Sequence, residues 1–252
     1  MLLSAKNLSF WYNKESCCFK NVSFDLKDRE SIAILGLNGQ GKSTLLYCLM
    51  GILEPKEGSV IVNEEFAYLP QLFVLPFSYN VLEVILMGRA SKIGTFKRPS
   101  KKDIDIAKNA ASLLKCEALL DRDFNSLSGG QKQLVLFARA LCKESKVLIL
   151  DEPASALDLK NQDRVLLLID RLKKEFGLSI IFTTHQPNHA LAVADRALIL
   201  HSDLSFKFGA TREIVTEKEQ EKLYDIKIKN IPLELEKKQI ITSVPIYTVE
   251  LK

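Results

Sequence analysis

The sequence predicts an α/β fold with a mixed sheet, and three observations support this prediction. The apolar run Ile32–Leu35 is typical of a short buried strand, and it leads through a glycine-rich stretch into an apolar helix. The continuous apolar run Val147–Leu150 suits a parallel strand that is covered on both faces. An amphipathic helix predicted over Asn161–Phe176 is followed by strands at Ile180–Thr184 and Ala197–Leu200, which continues a βαβ rhythm.

Composition narrows the class of protein without naming a function. The 252 residues include 35 basic and 31 acidic side chains, and the net charge of +4 gives no argument for nucleic acid or an acidic membrane surface. Five scattered cysteines without a C-x-x-C pair predict reduced cytosolic thiols, not disulfides or zinc. The chain starts without a signal-peptide pattern, and no apolar run approaches the ~18 residues of a membrane span. Any membrane role would therefore need partner subunits.

The stretch Gly36–Thr44 has the glycine, lysine and hydroxyl spacing of a phosphate-binding loop. Its glycines allow a tight turn, and the helix that begins near Lys42 presents the positive end of its dipole to an anion. Lys42 can reach the β- and γ-phosphates of a nucleoside triphosphate, and the Ser43 hydroxyl can ligate Mg²⁺. The alternative is a plain glycine-rich turn before a helix. The stretch predicts a P-loop NTPase core whose candidate nucleotide-binding residues are Gly36, Leu37, Asn38, Gly39, Gln40, Gly41, Lys42, Ser43 and Thr44.

The residues before this loop predict a small antiparallel β subdomain. Strands are expected at Leu8–Tyr12 and Val22–Leu26, the second with clear period-two alternation. Phe10, Trp11 and Tyr12 stand in a row, and one exposed ring could stack on a purine. From position alone, packing in the core is the favoured alternative for all three.

A hairpin and an inserted helical subdomain are predicted after the loop. Val60–Val62 and Phe66–Leu69 are separated by three polar residues, which is typical of a hairpin. Helix formers dominate from Val81 onward. Ser100 followed by Asp103 resembles a capped helix start, so another helix is expected there.

Three further stretches carry polar groups to places where chemistry is possible. The glycine-rich sequence Leu127–Gln131 precedes a helix and could bind an anion at its N-terminus. Asp151 and Glu152 follow the buried strand Val147–Leu150, and His185 follows the strand at Ile180–Thr184. Residues 211–252 contain no chemical motif.

Together these motifs resemble the ATP-binding subunit of an ABC transporter. The resemblance rests on the phosphate-binding loop, Gln71 after a strand, Leu127–Gln131, Val147–Glu152, residues 155–158 and His185, all in the family's order. It implies a single ABC ATPase domain over residues 1–252. The catalytic α/β core with its β subdomain would comprise residues 1–71 and 145–210, the helical subdomain residues 72–144, and a C-terminal extension residues 211–252.

The resemblance implies ATP and Mg²⁺ as ligands and gives a role to each site residue. Tyr12 would stack on adenine, which replaces the packing role favoured by position, while Trp11 stays in the core. Glu152 would orient or deprotonate the attacking water, and His185 would contact the γ-phosphate. The implied Mg²⁺ ligands are Ser43, Gln71 and Asp151, with Gln71 also sensing the attacking water.

The resemblance also implies a head-to-tail dimer. The signature residues Leu127, Ser128, Gly129, Gly130 and Gln131 would close over the ATP of a second copy, and Asp158 would communicate between the sites. Other implied partners are polytopic membrane permease subunits and, indirectly, a periplasmic or extracellular substrate-binding protein, with no nucleic acid. The chain would then lie on the cytoplasmic face of the inner membrane.

Within the segment Gln71–Pro99, Tyr79–Arg89 and the loop after it look like those of metal-chelate importers. The implied cargo is an iron siderophore, haem, cobalamin or an oxyanion such as molybdate or tungstate, and overall likeness favours molybdate. The apolar residues of this segment would face a membrane subunit, although internal packing is an alternative. An exporter subunit, and a soluble ABC ATPase acting on ribosomes or DNA, are the other functions left open.

Overall fold

The structure is a computed structural model, and it describes residues 1–13, 16–94, 97–155, 157–235 and 238–247. Ala156, within the predicted motif at residues 155–158, lies outside the described residues. The strands are β1 Leu3–Trp11, β2 Cys17–Leu26, β3 Ser31–Leu35, β4 Glu57–Val62, β5 Phe66–Leu69, β6 Val147–Leu150, β7 Ser179–Thr184, β8 Arg196–Leu200, β9 Phe206–Ala210, β10 Lys227–Leu235 and β11 Lys238–Ile246. The α-helices are α1 Lys42–Leu49, α2 Val81–Leu86, α3 Ala90–Ile93, α4 Lys101–Leu113, α5 Gly129–Leu141, α6 Leu159–Phe176, α7 Pro187–Val193, α8 Thr211–Ile214 and α9 Glu217–Tyr224.

A mixed sheet of strand order β5-β6-β7-β3-β8-β9 forms the centre of the molecule. All neighbouring pairs are parallel except β8 and β9. The register pairs Leu35 with Thr184 and Leu150 with Phe182. Strands β3, β6 and β7 therefore end at the same edge of the sheet, and the segments that follow them meet there. The predicted parallel core is confirmed.

An antiparallel sheet of order β2-β1-β4 packs on the central sheet. The predicted pairing of the two N-terminal strands is confirmed, and β1 extends further toward the N-terminus than expected. The predicted hairpin is wrong, because β4 pairs with β1 while β5 pairs in parallel with β6. The connection at residues 63–65 steps from one sheet to the other, so its hairpin-like length does not decide which strands pair.

The helical subdomain packs against the opposite face of the central sheet. Val81, Val84 and Ile85 of α2 are fully buried in the same cluster as Leu148 and Leu150 of β6. Capping boxes begin α2 at Asn80 and α4 at Ser100, and the second confirms the predicted helix start. Internal packing therefore accounts for the apolar residues of α2.

Two side chains are less buried than expected. The amphipathic pattern of α6 places Phe176 on the apolar face, but Phe176 is 43% exposed because it ends the helix, where Gly177 turns the chain away. Trp11, assigned to the core, is only partly buried. In contrast, Phe10 is buried and Tyr12 is exposed, so the row of three aromatic side chains divides between core and surface.

The C-terminal segment folds into helices α8 and α9 and a β10–β11 hairpin that sequence motifs did not indicate. The five cysteines lie among the described residues, and all are free thiols. No helix of the described ranges combines the length and apolar character needed to cross a membrane.

Candidate ATP-binding and hydrolysis site

The phosphate-binding loop joins β3 to α1 in a conformation that requires glycine. Gly39 and Gly41 have φ of +82° and +80°, where an L side chain is strained. A Cβ atom at Gly41 would lie 2.9 Å from Cβ of Cys18, so the loop passes directly against β2. Gly41 is the N-cap of α1 and no side chain caps this helix. The N-terminal N–H groups of α1 can therefore donate to an anion.

Lys42, the first residue of α1, is buried. Its ammonium donates to the carbonyl oxygens of Gly36 and Leu37, each at 3.0 Å, and lies 3.0 Å from Oε1 of Glu152. Gln40 braces the loop, since its Oε1 accepts a hydrogen bond from the Leu37 N–H at 2.5 Å. The Lys42 charge is thus fixed between the loop backbone and the carboxylate that follows β6.

Glu152 lies among three strand ends. Its N–H donates to Oγ1 of Thr183 at 2.7 Å, and the same hydroxyl donates to Oδ1 of Asp151 at 2.7 Å. Oε2 of Glu152 accepts from Nε2 of Gln71 at 3.3 Å and lies 3.3 Å from Nδ1 of His185. Glu152 has a φ of +45°, a strained value for a residue with a side chain. The backbone thus turns Glu152 toward residues from three separate segments.

The charge on Glu152 follows from these contacts. Burial alone would raise the pKa of this carboxyl, but the hydrogen bond and charge of Lys42, with a smaller contribution from His185, outweigh burial and lower the pKa. Glu152 is therefore ionised at neutral pH, although its side chain is 6% exposed.

A cavity of about 350 Å³ opens over the loop. Tyr12 lies at one end, 61% exposed, with its ring edge-on to Phe10 at a centroid distance of 5.0 Å. Its hydroxyl is 3.3 Å from Oγ1 of Thr44. The exposed face of Tyr12 can stack on a base while the loop holds phosphates. The cavity is lined by Tyr12, Ser16, Cys18, Asn38, Gly39, Gly41, Lys42, Ser43, Thr44, Gln71 and Glu152.

The polar groups around this cavity fit a magnesium-bound triphosphate. No group of three or more His, Cys, Asp or Glu side chains in the described ranges could hold a metal by itself. Mg²⁺ commonly binds through one or two protein oxygens, with substrate phosphates and water completing its shell. Ser43 lines the cavity, and the buried Asp151 carboxylate, next to Glu152 in the chain, accepts the hydroxyl hydrogen of Thr183. These oxygen ligands, together with Gln71 in the cavity lining, fit Mg²⁺ better than a metal that needs a closed protein site.

The signature residues occupy a different surface. Ser128 begins α5 with a capping box, in which its hydroxyl accepts from the Gln131 N–H and Gln131 Oε1 accepts from the Ser128 N–H. Gly130 packs so closely on Asn161 that a Cβ atom would lie 2.9 Å from its Oδ1. Leu127 is buried, Gly129 lies beside Leu157, and none of the signature residues lines the cavity over the phosphate-binding loop. Asp158 caps α6 by accepting from the Asn161 N–H at 2.8 Å.

Some site residues had no sequence signal. Ser16 and Cys18 line the cavity because β2 runs beside Gly41, a pairing that no local motif reveals. Thr183 joins Asp151 to Glu152. Thr183 is one of three hydroxyl residues in β7, and nothing in the local sequence distinguishes it from Ser179 and Thr184.

The other two histidines lie outside this group of residues. His189 and His201 are both buried. His189 contacts Oγ1 of Thr184, and His201 contacts the Glu219 carboxylate. The motifs give no role to His189 or His201, which leaves them as ordinary surface or packing residues, and their burial makes them packing residues.

The parallel sheet, the phosphate-binding loop after its β3 strand and the paired carboxylates after β6 define an ATPase of the P-loop class. A family model described as ABC transporter matches residues 19–155 of the chain. The chain belongs to this family and is an ABC ATPase that binds ATP.

Known proteins match the chain over most of its length. The molybdate import ATP-binding protein MolC of Haemophilus influenzae is 42% identical over 250 residues, which cover 99% of this chain and 98% of MolC. An inward-facing structure of a metal-chelate type ABC transporter matches with a TM-score of 0.93 and 42% identity, over 98% of each chain. A dimeric bacterial ABC transporter cassette matches with a TM-score of 0.68 and 26% identity, over 78% of this chain and 93% of that one.

Proposed function

We propose that this chain is the ATP-hydrolysing subunit of an importer for a metal chelate or a related oxyanion, with molybdate as the favoured cargo. The relatives support an importer, since the similarity to MolC and to the metal-chelate type transporter extends over nearly the whole chain. The chain would work on the cytoplasmic face of the cell membrane, bound to permease subunits that receive cargo from a substrate-binding protein.

The observation that carries the proposed chemistry is the position of Glu152 among Lys42, Gln71 and His185. Lys42 would bind the β- and γ-phosphates, and Tyr12 would hold the base. The ionised Glu152 would accept a proton from the attacking water, which Gln71 would orient. His185 would contact the γ-phosphate. Ser43, Gln71 and Asp151 would hold Mg²⁺, which supplies charge neutralisation on the phosphates when bound.

The proposed assembly is a head-to-tail dimer. Ser128 lies at a helix N-terminus on a surface separate from the chain's own cavity, so it would bind the ATP of a second copy. The similarity to a dimeric cassette supports this arrangement. Asp158 at the start of α6 would lie near the contact between copies. ATP would therefore complete the interface between the two copies, and ATP hydrolysis would allow the copies to separate.

The proposed contact with the permease is the segment directly after Gln71. Leu72, Val74 and Phe77 are 80%, 82% and 69% exposed, which is unusual for three apolar side chains so close together. Gln71 itself contacts Glu152. A membrane subunit bound to this segment would thus influence the carboxylate through Gln71.

Transport assays test this function. The chain would be reconstituted with its permease subunits in proteoliposomes, and ATP hydrolysis measured with binding protein loaded with molybdate or with a ferric chelate. The proposal expects uptake and stimulated hydrolysis with one of these cargoes. Cargo leaving the cytoplasmic side would instead indicate an exporter. Co-purification of ribosomes or DNA in place of a membrane protein would contradict the importer.

A further inference from the structure

The C-terminal segment makes a direct contact with the loop that carries His185. Tyr224, the last residue of α9, donates its hydroxyl hydrogen to the carbonyl oxygen of His185 at 2.7 Å. The ring of Tyr224 packs against the main hydrophobic core. Burial raises the pKa of the phenol, so the hydroxyl keeps its proton and remains a donor at any pH at which the protein works.

The His185 loop is held by contacts between residues close to it in the sequence. Oγ1 of Thr184 accepts a hydrogen bond from the Gln186 N–H at 3.0 Å and contacts Nδ1 of His189 at 3.2 Å. Helix α7 begins directly afterwards at Pro187, which has no N–H of its own. The Tyr224 hydroxyl binds the His185 carbonyl between these two points. The backbone of His185 is thus fixed by its own loop and by a helix from the C-terminal segment.

A second connection keeps the C-terminal segment in place. Asn188 on α7 donates from Nδ2 to the Ser243 carbonyl at 3.0 Å and accepts at Oδ1 from the Ser243 N–H at 2.7 Å. Ser243 in turn donates its hydroxyl to Asn230, which also accepts from Gln220 on α9. The hairpin, α7 and α9, the helix that carries Tyr224, are therefore joined in one hydrogen-bonded unit.

We propose that Tyr224 is a positioning residue for His185, so that the C-terminal segment takes part in setting the rate of ATP hydrolysis. The geometry supports this because the imidazole of His185 lies 3.3 Å from Glu152, and a shift of the His185 backbone would carry the ring away from it. The inference rests on the proposed role of His185 in hydrolysis. It gives a function to residues in which the sequence shows no chemical motif.

Tyr224→Phe tests the proposal because it removes the hydroxyl and keeps the ring in the core. The full chain with Mg²⁺ and ATP should show kcat lowered about fivefold, as expected for one neutral hydrogen bond acting on geometry, with KM for ATP within about twofold of wild type. Tyr247→Phe is the matched control, since this tyrosine is 74% exposed at the end of the described chain. It should leave kcat unchanged.

A double-mutant cycle with His185→Ala distinguishes an effect of Tyr224 that acts through His185 from an independent effect on kcat. If Tyr224 acts through His185, Tyr224→Phe should have no further effect on kcat in the His185→Ala background. An unchanged kcat in the single variant, or the same fold reduction in both backgrounds, overturns the positioning role alone. A wild-type kcat in His185→Ala overturns the proposed role of His185, and the inference from Tyr224 with it.

Discussion

Lys42 and Glu152 form an ion pair at 3.0 Å, with side chains only 5% and 6% exposed. The lysine that would bind phosphate and the carboxylate that would activate water are therefore in direct contact. Phosphate oxygens have to compete with Glu152 for the same ammonium hydrogens. Nucleotide binding and the position of the carboxylate are thereby connected through one side chain.

Glu152→Gln should separate ATP binding from hydrolysis. Gln keeps the size of the side chain but cannot accept a proton, so kcat should fall about 100- to 1,000-fold. ATP affinity should be retained or increased, because the neutral amide competes less for Lys42. Single-turnover hydrolysis and light scattering of the ATP-bound dimer measure the two effects. Glu64→Gln, at a surface pair with Lys146, is the control, and wild-type turnover in Glu152→Gln would rule out this residue as the base.

Lys42→Met should destabilise the protein at neutral pH, because it leaves the buried Glu152 carboxylate without its cation. The free energy of unfolding should fall by about 3–5 kcal/mol at pH 7. Lys146→Met removes an exposed pair and should cost about 0–1 kcal/mol. Denaturant unfolding measures both values, and ATP titration by calorimetry should show loss of binding only for Lys42→Met.

Lys42→Met should also change how the free energy of unfolding depends on pH. In the wild type the pKa of Glu152 is lowered on folding, so the stabilisation by this pair is present above the usual glutamate pKa and lost as pH falls through the lower folded value. In Lys42→Met, burial is opposed only by the smaller contribution of His185, so the pKa of Glu152 rises and protonation relieves the penalty as pH falls. The stability difference between the two proteins should therefore shrink toward pH 4. A difference that is constant between pH 7 and pH 4 would contradict the coupling.

Mixed dimers test whether the signature serves the partner's ATP. With Lys42→Ala and Ser128→Arg on different chains, one complete site should remain, and the dimer should retain one occluded ATP. With both changes on one chain, neither site is complete and no ATP should be retained. A signature that served its own chain would reverse these two results. Tagged heterodimers analysed for bound nucleotide provide the measurement.

Tyr12→Ala should weaken ATP binding through loss of base stacking. The expected loss is about 1–3 kcal/mol, or roughly 5- to 150-fold in Kd. Tyr12→Phe keeps the ring and loses only the long contact of the hydroxyl with Thr44, so its Kd should stay within about threefold of wild type. Calorimetry with ATP distinguishes the two, and equal losses would indicate that the hydroxyl, not the ring, is responsible.

Sequence patterns predicted those parts of the fold that short stretches of neighbouring residues determine. Short-range patterns are enough to recognise the phosphate-binding loop at Gly36–Thr44 and the carboxylates after β6. The parallel pairing of their strands through β7 then brings these two segments together. The β4–β5 hairpin was wrong because pairing partners are decided by distant strands. The contact between Tyr224 and His185 spans 39 residues and has no local pattern at all.

The backbone conformation of Glu152 influences how substitutions at this position change the stability of the protein. At a φ of +45°, glycine is favoured over a residue with a Cβ atom by about 1 kcal/mol. Glu152→Gly should therefore be more stable than Glu152→Ala, which removes the same carboxylate. Relief of this strain does not make Glu152→Gly more stable than the wild type, because loss of the buried pair with Lys42 costs about 3–5 kcal/mol. The ion pair therefore holds the backbone of Glu152 in a conformation that a residue with a side chain disfavours.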